Sequence, residues 1–425
     1  MKKRYPTLAC VLALAGCDRS AEIGIEICSG FNVRCQSEFP VEADWGEPLR
    51  EFAVTPESLV TVTPKSLLPV LAENKLLSYE LASDRAGTLW EFGVEAGPEN
   101  DDYTGEDHLR VRTSTLAGDV QEGAVEAPGL LQRLNTRVLG RAHNSQRGPI
   151  VDLSWVTTKC PPDWGGLNCG ITETLSFGSD LSMPPERTLW SEDGREAPDF
   201  SAQAKGLWIS VDMLGNIEQR SSALELVWRQ TALNEAQLVV NYNESRPYLL
   251  ESGELTLLAA EDAVAAKLHG AADQLWRIGF DGNVKQRLAF RPGLDHARLA
   301  HDTRNRALVA GTDDDGGMRV LRLDGDKPIQ SWTFLRTQYA DVVVLAMSVD
   351  LAGTLYLLTE SGGRAPQDRV PVICRLREDD RSDCVVTTRP AEAMGRPLNQ
   401  VQATEPGVVY VSDGQRLFRY ELPNE

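Results

Sequence analysis

The chain has 425 residues, 42% of them hydrophobic and 25% charged, with 62 acidic against 43 basic side chains and a net charge of −19. Such a composition belongs to a folded protein able to bury a large core, and the length suits two or three average domains or one repeat architecture. The surplus of carboxylates excludes nucleic acid and bare anionic lipid surfaces as favoured partners.

Lys2, Lys3 and Arg4 precede a short apolar stretch at residues 8–15, an order that predicts a processed leader. The stretch is shorter than the about 20 apolar residues a membrane-spanning helix needs. Leu14-Ala15-Gly16-Cys17 closes it, and this tetrapeptide resembles the lipobox of bacterial lipoproteins. The resemblance implies cleavage before Cys17, diacylation of its thiol and acylation of the new amino group. Several acyl chains anchor stably where one does not, so the membrane is expected to be reached through Cys17. Asp18 matches the enterobacterial pattern that retains lipoproteins in the inner membrane. The expected location is the bacterial cell envelope, with the body facing the periplasm from the inner membrane, or at the outer membrane or surface. Residues 1–16 thus read as signal peptide, 17–48 as a lipidated tether or spacer, and 49–425 as one repeat domain.

Cys10 leaves with the leader and Cys17 is the anchor, which leaves Cys28/Cys35, Cys160/Cys169 and Cys374/Cys384. Close local pairs in an exported chain, without C-x-x-C spacing, predict three disulfides rather than a metal site. Closing a short loop in this way contributes about 2–3 kcal/mol.

Phe39-Pro40, Asp44-Trp45-Gly46 and Pro48 break any regular element in the spacer. Residues 51–54 and 58–63 read as one or two strands between prolines. Strands at 76–82, 89–94, 109–113 and 120–125 then form a first four-stranded unit. The second unit covers 130–190, with strands 150–157 and 171–177 joined across the Cys160/Cys169 loop, and a third lies around 206–229. The fourth, 237–290, contains at 254–268 the one serious candidate for an amphipathic helix. Leu275-Trp276 followed by Gly282-Asn283-Val284-Lys285-Gln286-Arg287 echoes Leu207-Trp208 followed by Gly215-Asn216-Ile217-Glu218-Gln219-Arg220. Units at 297–334, 342–388 and 400–422 complete the series. The last contains the hairpin signal Val408-Val409-Tyr410-Val411-Ser412-Asp413-Gly414, an apolar β-branched run entering an Asp-Gly turn.

Second strands centred near 89, 153, 207, 257, 308, 355 and 409 define a repeat of about 50 residues, the length of a propeller blade. The expected fold is all-β, a β-propeller of seven blades, with six and eight as the alternatives. The last unit has no outer strand of its own. One of the strands at 51–54 and 58–63 is therefore expected to complete it and hide the sheet edges.

Gly407-Val408-Val409-Tyr410-Val411-Ser412-Asp413-Gly414-Gln415-Arg416-Leu417-Phe418 and Val320-Leu321-Arg322-Leu323-Asp324-Gly325, which runs on to Trp332, resemble the quinoprotein-type (PQQ-like) propeller repeat. The chain lacks the adjacent Cys-Cys pair that quinone dehydrogenases of that group carry, so no cofactor is expected. The resemblance implies architecture and, by analogy with the propeller lipoprotein of outer-membrane protein assembly, a scaffold without catalysis.

No G-x-S-x-G, H-E-x-x-H, P-loop or G-x-G-x-x-G motif occurs. Asp295-His296 and His301-Asp302 bracket one strand, but positions five apart face opposite sides. Asp84, Asn144, Asp302, Asp350 and Glu405 each end a first strand, where a carboxylate or amide bonds its own backbone in a turn. The segment from Ser83 to Trp90 resembles the Asp-box of sialidase propellers with its spacing off by one residue, and it reads as such a turn. The second-to-third strand connections are longer, and in a propeller they share one end of the ring, where function concentrates. They hold Asp101, Asp102 and Asp107; Trp164 between the cysteines; Asp313, Asp314 and Asp315; and the segment 360–370. These acids and Trp164 are the expected binding face; the acids read first as a solvated acidic surface, with calcium as the ion that oxygen clusters of this kind suit. The reading is a non-catalytic protein-binding or assembly scaffold in the envelope, with a basic partner favoured by charge. The alternatives are a calcium-dependent propeller hydrolase or lyase acting on a sugar or lactone, and a carbohydrate-binding surface lectin.

Overall fold

The computed structural model describes residues 33–34, 41–42, 50–53, 60–69, 76–84, 86–95, 107–115, 117–126, 130–137, 147–157, 169–178, 180–189, 200–212, 215–231, 233, 239–240, 245, 247–250, 252–262, 264–266, 270–313, 316–325, 327–335, 343–362, 369–388, 398–414 and 416–423. Five N-terminal strands, β1 (Val33–Arg34), β2 (Val41–Glu42), β3 (Arg50–Ala53), β4 (Val60–Val62) and β5 (Ser66–Pro69), precede the repeats.

Antiparallel meanders follow. The first comprises β6 (Leu76–Ser83), β7 (Leu89–Glu95), β8 (His108–Ser114) and β9 (Val120–Glu126), and the second β10 (Leu130–Arg137), β11 (Arg147–Thr157), β12 (Cys169–Gly178) and β13 (Glu186–Leu189). The third contains β14 (Phe200–Ala204), β15 (Leu207–Val211), β16 (Ile217–Arg220) and β17 (Leu226–Gln230). A ten-stranded sheet then holds β18 (Val239–Val240), β19 (Tyr248–Leu249), β20 (Leu255–Ala260), β21 (Ala272–Ile278), β22 (Val284–His301), β23 (Ala307–Thr312), β24 (Met318–Asp324) and β25 (Lys327–Leu335), with β2 and β3 at its margins. It comprises two successive meanders joined through β22, whose first half pairs with β21 and whose last residues pair with β23. The chain closes with β26 (Val343–Val349), β27 (Leu355–Gly362), β28 (Arg369–Leu376) and β29 (Ser382–Thr387), then β30 (Gln400–Glu405), β31 (Val408–Ser412) and β32 (Arg416–Glu421).

Neighbouring strands form a closed circuit, made of first strands except at the second meander, where β10 and its partner β11 share the two contacts: β6 neighbours β10, β11 neighbours β14, β14 neighbours β19, β19 neighbours β22, β22 neighbours β26, β26 neighbours β30, and β30 returns to β6. Apolar cores lie between successive sheets. Trp90 and Phe92 pack on Leu175 and Phe177, Leu308 and Val320 on Leu355 and Leu357, and Tyr356 and Leu358 on Val409 and Val411. The last core, Tyr79, Leu81 and Leu89 against Leu417, joins the end of the chain to its first meander. The second strands β20 and β23 are buried along their whole length, as sheets stacked on both faces require. Each buried Phe or Leu contributes roughly 1.5–3 kcal/mol. The fold is an all-β propeller, as expected.

The closing strand is not the one expected. Arg50–Ala53 runs parallel to β25, and Val60–Val62 parallel to β29. The strand that completes the last meander is Ser66–Pro69, antiparallel to β32. Further upstream, β1 lies parallel to β17 and β2 parallel to β22. The described N-terminal strands are thus distributed over successive outer edges, and among the described residues the first to pair with the body is Val33, inside the stretch read as spacer.

The helix expected at 254–268 is also corrected. Leu255–Ala260 is the central strand β20, and among the described residues of this stretch helix is found at 264–266. A short apolar run buried on both faces cannot be told from a helix by periodicity. The echoed Trp segments are both hairpins, but Trp208 lies on a second strand and Trp276 on a third. The later hairpin turns at Gly282, whose φ is +80° and whose Cβ position lies 2.9 Å from the Trp228 ring. Only a residue without a side chain lets this turn dock there.

Candidate functional site

At one end of the ring three of the first-to-second strand turns, at Asp84, Asp302 and Asp350, share a device. Asp84 Oδ1 accepts the N–H groups of Ala86 (2.9 Å) and Thr88 (3.0 Å), and Oδ2 accepts Trp90 Nε1–H at 3.0 Å. Asp350 accepts Ala352 and Thr354 N–H, both at 2.9 Å, and the Tyr356 hydroxyl at 3.0 Å. Asp302 accepts Arg304 and Arg306 N–H and, at 2.6 Å, Arg306 Nε. Gly87, Asn305 and Gly353 close these turns at φ of +79°, +63° and +83°, the left-handed position that a three-residue hairpin loop needs. These aspartates act as turn anchors, as their sequence position predicts, while Asn144 lies outside the described residues. Sequence reading missed their third partner, although Asp-x-x-Gly-Thr-Leu followed by Trp90 or Tyr356 is a repeated signal for it.

The same end carries charges that stitch neighbouring sheets. Arg322, fully buried, donates to Gln330 Oε1 (2.6 Å) and to the Gly353 carbonyl (2.9 Å). Burial lowers its pKa, while Asp302 works in the other direction. Arg306 bridges Asp302 and Glu378, and Gln330 Nε2 donates to the Glu378 carbonyl at 2.7 Å. Tyr356, whose pKa is raised by burial and by Asp350, accepts Gly407 N–H at 2.8 Å.

The first meander holds a buried polar cluster across its first three strands. Glu91, 1% exposed, accepts Tyr79 O–H at 2.6 Å and is gripped by Arg112 through Nε (2.5 Å) and Nη2 (2.6 Å). Burial and the Glu91 carboxylate push the Tyr79 phenol well above its ordinary pKa. Elsewhere, His301 stacks on Tyr248 at 4.3 Å between ring centres, and its Nδ1 has no hydrogen-bond partner. Burial and nearby Arg277 lower its pKa to about 3. Asp302 beside it belongs to the turn, so the two Asp-His pairs do not converge, and among the described residues no group of three His, Cys, Asp or Glu could hold a metal.

At the opposite end lie the second-to-third strand connections: β7 to β8, β11 to β12, β23 to β24 and β27 to β28. Asp107 is buried. Asp313 accepts Gly317 N–H at 2.8 Å and Arg319 Nε at 2.8 Å, so its carboxylate is held by its own turn. Asp101, Asp102, Trp164, Asp314 and Asp315 lie outside the described residues, as do Cys17, Cys28, Cys35 and Cys160. Cys169 begins β12 opposite Thr157. Cys374 and Cys384, directly opposite on β28 and β29, form the expected disulfide.

No protein-family model and no curated protein sequence matches the chain. Among solved structures it is similar to a catalytically inactive virginiamycin B lyase from Staphylococcus aureus with quinupristin, at 10% identity and a TM-score of 0.49, over 84% of this chain and 99% of that one. The RRP9 WD40 repeats align at 9% identity and a TM-score of 0.48, over 86% and 100%. BamB from Moraxella catarrhalis aligns at 11% identity and a TM-score of 0.37, over 86% and 98%.

Proposed function

We propose that the chain is a lipid-anchored β-propeller of seven blades that binds protein partners in the bacterial cell envelope as a non-catalytic assembly scaffold. The observation that carries this reading is where the carboxylates are engaged. Asp84, Asp302 and Asp350 hold turns, Glu91 and Glu378 hold sheet contacts, and Asp313 is closed on its own loop. The ring is a rigid support, and a partner meets the acidic connections at the second-to-third strand end, where Asp101, Asp102, Asp314 and Asp315 stand in sequence. The blade count is supported by the circuit of neighbouring strands, with the ten-stranded sheet taken as two blades. The anchor is supported by Leu14-Ala15-Gly16-Cys17.

The test is cross-linking in whole envelopes of the native chain, of a variant with Asp101, Asp102, Asp314 and Asp315 changed to Asn, and of Cys17→Ser. The scaffold reading expects a discrete cross-linked protein that the Asn variant loses while its unfolding midpoint is unchanged. It also expects palmitate labelling and membrane retention that Cys17→Ser abolishes. A cross-link pattern indifferent to the four aspartates overturns the loop-face assignment.

A further inference from the structure

We propose that β9, the outer edge of the first meander, is a docking strand for an extended basic segment of a partner protein. The precedent lies in the chain itself. The outer strands β17, β22, β25 and β29 each take an N-terminal strand in parallel, and β32 takes β5. Among the described residues, the outer strands of the first two meanders, β9 and β13, carry no such neighbour. The two differ in how they are protected. β13 has four residues, follows Pro184-Pro185 and exposes Glu186 and Arg187. β9 has seven residues in unbroken register with β8, from His108 opposite Glu126 to Ser114 opposite Val120. It contains no Lys, no Pro and no bulge. An edge of this kind is a template for another strand, and proteins that do not use it blunt it.

The side chains select the occupant. Val120 is 58% exposed, and Asp119, Gln121, Glu122 and Ala124 are exposed with it. Val120, Glu122 and Ala124 alternate on one face of the strand, and Gln121 and Gly123 on the other. Glu122 reaches Arg112 only at 3.9 Å and is 65% exposed. On the second face the turn of the neighbouring meander forms a shelf: Leu181 N–H donates to Gln121 Oε1 at 3.3 Å, and the Leu181 side chain stands 4.0 Å from the Cβ position of Gly123. A strand added here meets Glu122, flanked by Val120 and Ala124, on one side and the apolar Leu181 on the other, with Asp119 at the turn that begins the edge. Main-chain hydrogen bonds supply its affinity, and alternate side chains supply specificity. The matching segment alternates Lys or Arg with apolar residues. A net charge of −19 further disfavours an acidic one. This inference rests on the reading of the chain as protein-binding, but it uses the rim rather than the loop end.

The probe is a capped eight-residue peptide alternating Lys and Val at millimolar concentration, with a Glu-Val peptide as its control. Amide hydrogen exchange is followed over the whole protein. At saturation the Lys-Val peptide slows exchange across Val120–Glu126 at least tenfold, and the Glu-Val peptide does not. Asp119→Lys with Glu122→Lys, both at exposed positions, reverses that preference without moving the unfolding midpoint. Protection absent from β9, protection found at Glu186–Leu189 instead, or equal protection by both peptides overturns the proposal. So does a dimer that disperses with Val120→Lys, because it would seat a second copy on the edge. Failure at β9 while the four loop aspartates still govern the envelope cross-link removes this site and leaves the scaffold reading intact.

Discussion

The Gln400 side chain is hydrogen-bonded to the main chain of Leu81, 319 residues away: its Oε1 accepts Leu81 N–H at 2.7 Å, while its Nε2 donates to the Tyr79 carbonyl at 2.7 Å. Gln402, two residues on, repeats the contact with Leu81 O and Ser83 Oγ. Two glutamines thus do for β30 and β6 what a strand ladder does elsewhere, and they close the ring at its inner strands while β5 closes it at the outer ones.

Gln400→Met keeps the length of the side chain and removes both bonds. The Leu81 N–H and the Tyr79 carbonyl then lose their partners, at a cost of about 1–3 kcal/mol. Urea unfolding should show a lower midpoint with an unchanged slope, and the Leu81 amide should exchange faster in the variant.

Arg112→Met leaves Glu91 charged and buried with only the Tyr79 hydroxyl to satisfy it, and about 3–5 kcal/mol is expected to be lost. Combining it with Glu91→Leu removes the uncompensated charge, so the double variant should be more stable than Arg112→Met alone. Equal stabilities for the two would contradict the pairing.

Tyr79 and Tyr356 hold their protons above the ordinary tyrosine range because burial and an adjacent carboxylate oppose the phenolate. Above pH 10 the unfolded chain loses these protons and the folded chain keeps them, so stability falls as pH rises. Tyr356→Phe should make that fall shallower, as read from urea midpoints between pH 9 and 11.

His301 has the opposite dependence. Its folded pKa is about 3 against an ordinary 6.5, so between those values the unfolded chain binds a proton that the folded chain refuses. Stability is lost as pH falls through that window, with a slope of about 1.4 kcal/mol per pH unit for one fully coupled proton. His301→Phe retains a ring against Tyr248 and should flatten the slope of the native protein by close to one proton. A difference that does not change between pH 4 and 6.5 would mean that His301 charges freely in the fold.

Calcium is expected to leave the melting temperature unchanged. The Asp313 carboxylate already accepts Gly317 N–H and Arg319 Nε, and Asp107 is buried. An ion bound only by the folded chain would add about 2.7 kcal/mol at a hundredfold excess over Kd. A clear rise in Tm with calcium, reversed by chelator, would return the metal-dependent hydrolase and lectin readings to the front.

Much of the fold was legible along the chain because its signals are local. The strands at 76–82, 89–94, 109–113 and 120–125 lie within β6 to β9, since alternation and Gly-closed turns act over fewer than ten residues. Asp84, Asp302 and Asp350 could be read as turn anchors for the same reason, and Cys374 with Cys384 because ten residues separate them. The candidate site was less legible. Asp107 and Asp313 belong to acidic segments that look alike in one dimension, and only packing distinguishes a buried or turn-bound carboxylate from one facing solvent.

The choice of Ser66–Pro69 over Arg50–Ala53 as the closing strand had no local signal, because any short β-prone segment can pair with any open edge. Tertiary structure decided it by where the preceding strands were already held, on β25 and β29. It also brought Gln400 to Leu81, a contact set by the closure of the ring, and Tyr248 to His301. The sequence by itself determined that the chain would be a series of hairpins with aspartate-anchored turns, because hydrophobic period and turn chemistry are properties of neighbouring residues. Which strand closes the ring, and which charges stay available to a partner, depends on residues hundreds of positions apart and was decided only when the sheets packed.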